Sequence, residues 1–156
     1  NRKSLQSQST GDFYIGLLNG NNNLCSISSL VKKAVFDSLN GYDENLAYED
    51  YDFWIRASTI YNFDYVDKIL VQKRVLKDSM YTLLTQKNNK KTRRFNYSTY
   101  LILQKAFKLN RTKEEFIAML KRIHFEMTVA YKTRDFRLLL KYFFLDLKVR
   151  STILYK

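Results

Sequence analysis

The acidic residues of this chain crowd into one short stretch, residues 41–56, with the sequence GYDENLAYEDYDFWIR. Five of the fifteen acidic residues lie there, and Asp37 stands just upstream. A carboxylate held at a cleft can act as a general base. The doublet Glu49-Asp50 opens an aromatic-rich amphipathic segment, so it also suits the first turn of a helix, where acids complement the helix dipole. The residue types alone leave both interpretations open.

Other residue types that do chemistry are scarce. One His and one Cys cannot make a zinc site of the usual kind. His124 falls beside the apolar stripe of a predicted helix, so we interpret it as structural or simply exposed, and Cys25 as a small half-buried side chain. The sequence contains neither a P-loop nor a GxGxxG motif. The acidic stretch is therefore the best candidate for catalysis.

The composition predicts a folded chain. Of 156 residues, 46% are apolar and 15% aromatic, and a chain of this length buries about two thirds of its unfolded surface. The sequence has no Pro and only four Gly, which predicts a mostly helical second half. No apolar run is long enough to predict a transmembrane helix, and no signal peptide is recognisable. The chain begins with Asn1, so we expect it to be a piece of a longer protein.

The charge is distributed unevenly. Residues 1–85 carry 9 Lys and Arg against 10 Asp and Glu, a balance of −1, whereas residues 86–156 carry 18 against 5, a balance of +13. Together they give the net charge of +12. A basic half of this kind predicts an anionic partner, either a membrane surface or a nucleic acid.

The hydrophobic pattern predicts an α/β arrangement in the first half. Residues 13–18, FYIGLL, form a short apolar run that predicts a buried strand, and residues 63–75 are rich in Val, Ile and Tyr and predict a second strand. Residues 30–39 predict a short helix that Gly41 closes, and the acidic junction leads into a helix that ends near Tyr61. Residues 78–86 predict a further helix.

The second half predicts a helical extension. The basic segment 87–94 is the best candidate for a boundary, which divides the chain into residues 1–86 and a basic extension, residues 87–156. A first helix ends near Asn110. A second begins at Thr112, where Glu115 completes a capping box. A third begins near Asp135, and its pattern predicts these inward-facing residues: Phe136, Leu139, Leu140, Phe143 and Leu147.

The order of elements in the first half resembles a known family. The segments SSLVKKAVFDSLNGYDENL (28–46), YEDYDFWIR (48–56) and YVDKILVQKR (65–74) resemble the C-terminal half of the family 2 glycosyltransferases, which are inverting enzymes of the GT-A fold. The resemblance covers roughly residues 23–79. It implies a partial GT-A-like α/β domain, followed by the helical extension.

The resemblance also implies roles for single residues. Asp50 would be the general base that deprotonates the acceptor hydroxyl, with Glu49 beside it. Trp54 is then either a platform for the sugar or, more simply, an anchor in the core. The positions that would line the donor and acceptor, or meet the diphosphate, are the following: Gly41, Tyr42, Asp43 and Arg74.

The chain departs from the family pattern in two ways. It lacks the N-terminal nucleotide-binding unit with the Asp-x-Asp that holds a divalent metal, so the Mg or Mn of a complete enzyme would find its ligands mostly outside this chain. Arg74 is followed by Val75 and Leu76, where many relatives have a His that helps to hold the metal. We therefore expect this chain alone to be incomplete and inactive.

The sequence leaves two main hypotheses. The first is the C-terminal portion of a bacterial glycosyltransferase that passes a sugar from a nucleotide-sugar donor to a glycan or lipid-linked acceptor in polysaccharide or cell-envelope synthesis. That enzyme would be cytoplasmic, with its basic helices on the inner face of the membrane. The alternative is a non-enzymatic basic helical module that binds an anionic membrane or nucleic acid. Nucleic acid is not expected, because no motif for it is present. A silent relic of the enzyme is a third possibility.

Overall fold

A computed structural model describes residues 10–21, 24–66, 68–72 and 86–156. Helices and irregular segments make up these residues, and none of them lies in a β-strand. A short 3-10 turn, Ser26–Ser28, separates the first two helices. The helices are α1 (Thr10–Asn19), α2 (Lys33–Ser38), α3 (Glu49–Ser58), α4 (Lys90–Leu109), α5 (Lys113–Lys132) and α6 (Phe136–Leu154).

The predicted α/β fold is wrong. Residues 13–18, which we expected to form a buried strand, lie within α1, whose side chains Tyr14, Leu17 and Leu18 are buried between α3 and α5. A short apolar run bounded by turn residues looks the same for a buried strand and a buried helix, so the pattern could not separate them. The neighbouring helices, which bury α1 on several sides, decide its conformation.

The resemblance to the family 2 glycosyltransferases is also overturned. The GT-A fold is built on a central sheet, and the residues that the structure describes form none. Of the second predicted strand, residues 63–66 and 68–72 are irregular and mostly exposed. Residues 67 and 73–75, and residues 78–85 of the next predicted helix, lie outside the described residues.

The three helices of the second half are confirmed. The capping box forms as predicted: Thr112 Oγ1 accepts the Glu115 N–H at 3.3 Å, and Glu115 Oε2 accepts the Thr112 N–H at 3.0 Å. Asp135 caps α6 by accepting the Leu138 N–H at 3.1 Å. The first of the three begins earlier than expected because Asn89 caps it, so residues 90–94 of the basic segment form the start of α4.

Two hydrophobic clusters form the core. The first joins α1 and α3 with residues of α4 and α5, among them Ile102, Ala106 and Ala118. The second joins α4, α5 and α6 around Tyr142, which is fully buried. Residues on both sides of position 86 thus share the first cluster, and the domain boundary proposed there stays a prediction.

The inward face predicted for α6 is wrong for most of its residues. Four of the five are exposed: Phe136, Leu140, Phe143 and Leu147. The buried stripe consists of Leu138, Tyr142, Leu145 and Val149. Both sets recur at intervals of three or four residues, so this helix is apolar on two faces, and periodicity alone could not tell which face the core would take.

Loss of the capping box should destabilise the second half. We expect Thr112→Ala to lower the free energy of unfolding by about 1 kcal/mol, because the Glu115 N–H loses its acceptor. Thr112→Ser keeps that acceptor and should stay close to the native stability. Urea titration followed by circular dichroism measures both. Equal losses in the two variants would show that the hydroxyl cap is not the cause.

Candidate functional site

The acidic stretch folds as a loop followed by the start of α3. Glu49, Asp50 and Asp52 all lie in the first turn of this helix, where their charge complements the helix dipole. Their exposure differs: Glu49 and Asp50 are half-buried, whereas Asp52 is only 1% exposed. The structure therefore separates the doublet, which the sequence singled out, from the third acid, which is buried.

Asp52 is the centre of an ion-pair network. Its Oδ2 accepts a hydrogen bond from Arg56 Nε at 2.8 Å, and its Oδ1 accepts one from Lys105 Nζ at 2.9 Å. Lys105 Nζ also donates to Asp43 Oδ2 at 2.7 Å, and this hydrogen bond lowers the pKa of Asp43 below its ordinary value. Asp43, which the resemblance placed near a donor sugar, is thus tied to α4.

Arg56 extends the network to the turn before α3. Its guanidinium donates to the carbonyls of Leu39 at 2.6 Å and Gly41 at 2.8 Å. Gly41 has a φ of +63°, and a Cβ there would lie 2.9 Å from the Phe36 ring. Only glycine satisfies both conditions without a shift of its neighbours. The structure thus gives Gly41 a role in forming the turn.

Two further residues of the predicted site, Tyr42 and Trp54, both pack against the ring of Phe53. Tyr42 is partly exposed and packs edge-on against the rings of Phe36 and Phe53. Trp54 is only 5% exposed and packs edge-on against Phe53, so the structure places it in the core. Arg74 lies outside the described residues. The predicted roles of these residues towards a substrate stay predictions.

Asp50 lines a cavity of about 40 Å³ between α1, α3 and α5. Burial raises the pKa of Asp50 above its ordinary value, and the neighbouring charge of Glu49 acts in the same direction. A cavity of this size has room for water molecules, whereas drug-sized ligands occupy about 300–1,000 Å³. Within the part of the chain described, this carboxylate therefore faces water rather than a sugar-sized cleft.

Arg122 closes the same cavity from α5. Its guanidinium lies 5.3 Å from the centroid of the Tyr51 ring, and its Nε lies 2.9 Å from Glu126 Oε1. Burial raises the pKa of Glu126. Sequence reasoning missed this pair, although one signal was present: Glu126 falls on the apolar stripe of α5, between Ile123 and Ala130.

The described residues offer no metal centre. None of them forms a group of three or more His, Cys, Asp and Glu side chains that could hold an ion. The Mg or Mn that the resemblance implied therefore has no fitting donor set in this part of the chain, and its presence in a longer enzyme stays a prediction.

A second surface has a different character. Six large apolar residues of α6 are exposed and form what we call its outer face: Phe136, Leu140, Phe143, Phe144, Leu147 and Leu154. The buried Leu145 is nine residues from Phe136 and nine residues from Leu154, which is about two and a half helical turns in each direction. The half turn places Leu145 on the opposite side of the helix, so the outer face points away from the core. Four basic residues flank it: Arg137, Lys141, Lys148 and Arg150.

The outer face carries no acidic residue. The one acid within α6 is Asp146, which is 7% exposed. Its carboxylate accepts from Arg150 Nε at 2.6 Å and lies 2.8 Å from His124 Nε2. His124 is therefore part of a cluster at the α5–α6 junction, beside the outer face rather than on it.

Comparison with protein families, with curated proteins and with solved structures finds no match for this chain. Among the described helices, none combines the length and the apolar character that a membrane span requires.

Removal of the Asp52 charge should destabilise the fold strongly. We expect Asp52→Asn to cost about 3 kcal/mol of unfolding free energy, because the ammonium of Lys105 and the guanidinium of Arg56 lose their shared buried partner. Asp37→Asn is the matched control, since Asp37 pairs with Lys33 at an exposed site and should change stability little. Chemical denaturation measures both, and equal effects would contradict the network.

Removal of the Asp50 charge should stabilise the fold at neutral pH, in contrast to removal of the Asp52 charge. Its raised pKa means that the folded state binds the proton more tightly than the unfolded state, so this group favours folding at low pH and the benefit is lost as pH rises through the folded pKa. We therefore expect Asp50→Asn to be more stable than the native chain at pH 7 and to lose that advantage in acid. Thermal melts across pH measure the difference, and a destabilised variant at pH 7 would contradict it.

Proposed function

We propose that this chain is a helical module that binds an anionic membrane surface through the outer face of α6. One observation carries the proposal: a helix whose buried face already fills the core has a second apolar face on its opposite side, flanked by Lys and Arg. An amphipathic helix with this pattern lies in the plane of a lipid interface, with its apolar side chains between the headgroups.

The size of the two contributions supports this function. Each Lys or Arg near an anionic leaflet contributes roughly 1 kcal/mol. Full burial of a large apolar side chain contributes about 1.5–3 kcal/mol, so a half-exposed Phe or Leu would still gain about 1 kcal/mol. Arg150 is paired with Asp146, which leaves Arg137, Lys141 and Lys148 without an acidic partner among the described residues. These three cations thus contribute roughly 3 kcal/mol and the six residues of the outer face roughly 6 kcal/mol.

The lysines are well placed to lie at such an interface. Lys141 Nζ lies 5.7 and 5.6 Å from the ring centroids of Tyr97 and Tyr100, and Lys148 Nζ lies 4.6 Å from that of Phe107. Long side chains that cover aromatic rings while their ammonium groups stay in water are typical of membrane-interface helices.

This function is the helical-module alternative that the sequence left open. Sugar transfer by Asp50 stays an untested prediction, but the absence of a sheet from the described residues removes the resemblance on which it rested. Nucleic acid fits less well, because the exposed aromatics of α6 belong to one continuous apolar face and would leave it uncovered.

Vesicle binding should depend on the outer face. We expect the chain to sediment with vesicles that contain anionic lipid and to bind at least about tenfold less after Leu140→Gln/Phe143→Gln, which removes two apolar contacts. The control Phe125→Gln/Tyr131→Gln changes two exposed apolar residues of α5 and should bind like the native chain. Added salt should weaken binding, because it screens the cationic flank.

Three results would contradict the proposal. No sedimentation with anionic or neutral vesicles would remove the membrane function. An equal loss of binding in the α5 control would place the binding surface elsewhere. Salt-sensitive binding to an RNA or DNA duplex, without vesicle binding, would favour the nucleic-acid alternative.

A further inference from the structure

A groove lies beside the outer face, between the loop that precedes α3, helix α4 and helix α6. Its volume is about 450 Å³, within the roughly 300–1,000 Å³ typical of small-molecule sites. It is more than ten times as large as the Asp50 cavity. Its apolar walls include Leu46, Leu101, Phe107, Phe144 and Leu145. Phe144 also belongs to the outer face, so the groove opens directly onto the proposed membrane surface.

Three lysines line the same groove: Lys105, Lys108 and Lys148. The first is paired with Asp43 and Asp52. Among the described residues, no carboxylate lies within ion-pairing distance of the other two. The groove also contains the carboxylate of Asp43, but the ammonium of Lys105 compensates its charge. Two cationic groups without an acidic partner thus stand beside an apolar wall.

Lys148 lies where the apolar wall of the groove meets its cationic part. Its Nζ lies 4.6 Å from the centroid of the Phe107 ring, so the ammonium is held at the boundary between the apolar wall and solvent. Lysine binds phosphate as a point charge, without a need for fixed geometry. A ligand that places a phosphate near Lys108 and Lys148 would therefore lay its attached apolar part along Phe107 and Phe144.

We propose that this groove binds the phosphate headgroup and adjoining chain of a single anionic lipid. The inference rests on the proposed membrane function, because it names the lipid that the outer face would meet. It goes further in assigning a defined site: the outer face inserts among many lipids, whereas the groove holds one. The anionic head and the apolar chain are both required, so a free phosphate should not suffice.

The test uses the whole chain and a soluble probe. Titration calorimetry with a lysophosphatidic acid, kept below its micelle concentration, should show saturable binding. Lysophosphatidylcholine of the same chain length should bind about tenfold more weakly, and inorganic phosphate should show no measurable binding.

Lys108→Gln/Lys148→Gln should weaken lysophosphatidic acid binding by about tenfold or more. The matched control Lys121→Gln/Lys132→Gln removes two exposed charges from α5 and should leave it unchanged.

A second variant separates the groove from the outer face. Gln104 lines the groove, is exposed and donates to the hydroxyl of Tyr100 at 2.8 Å, so Gln104→Trp should fill the groove with the loss of that one hydrogen bond. We expect it to reduce lysophosphatidic acid binding, whereas Leu140→Gln/Phe143→Gln should not.

The outcomes distinguish the two proposals. Vesicle binding without lysophosphatidic acid binding would overturn the groove and leave the membrane function intact. Lysophosphatidic acid binding without vesicle binding would do the reverse. The groove proposal would also be overturned if the lysine variants and Gln104→Trp left the affinity for lysophosphatidic acid unchanged. Binding of inorganic phosphate with the same affinity would overturn it as well.

Discussion

The buried carboxylate of Asp52 is the constraint on which the first hydrophobic cluster depends. A charge removed from water is tolerated only when it is fully paired, and its two partners come from different places in the chain. Arg56 lies one turn further along α3, whereas Lys105 lies in α4. Because Arg56 also binds the turn at Gly41, and Lys105 binds Asp43, a single carboxylate fixes a loop and two helices relative to one another.

The sequence predicted those parts of the fold whose signals are local. The capping box of Thr112 and Glu115 depends on residues three positions apart, so the start of α5 could be predicted from the sequence, and the apolar pattern placed the start of α6 near Asp135. Residues 13–18 carried no periodic signal, and neighbours distant in sequence decide their structure. The pair of Asp52 with Lys105 spans 53 residues, and no local pattern announces it. The sequence singles out the acidic stretch as a catalytic candidate, which stays a prediction, and it does not reveal that Asp52 pairs with a lysine of α4.

The error in the phase of α6 has a physical cause that bears on function. Periodicity reports that a helix has an apolar face, and it assumes that the core takes that face. In α6 two such faces compete, and the wider stripe of aromatic and aliphatic residues remains outside. An apolar surface that folding does not use, in the half of the chain that holds all of the excess positive charge, is costly to keep in water. The membrane function gives that surface a use.

The opposition of the two faces of α6 also fixes an orientation. If the outer face rests on a bilayer, the helix lies flat and its buried face points along the membrane normal towards α5, which in turn packs against α1. The axes of packed helices are about 8–10 Å apart, so α5 and α1 would lie at successively greater heights above the headgroups. The small cavity of Asp50, bounded by Gly20 and Arg122, has no residue of α6 in its lining. The side of the molecule formed by the outer face would contact lipid, and the opposite side would face only the aqueous phase.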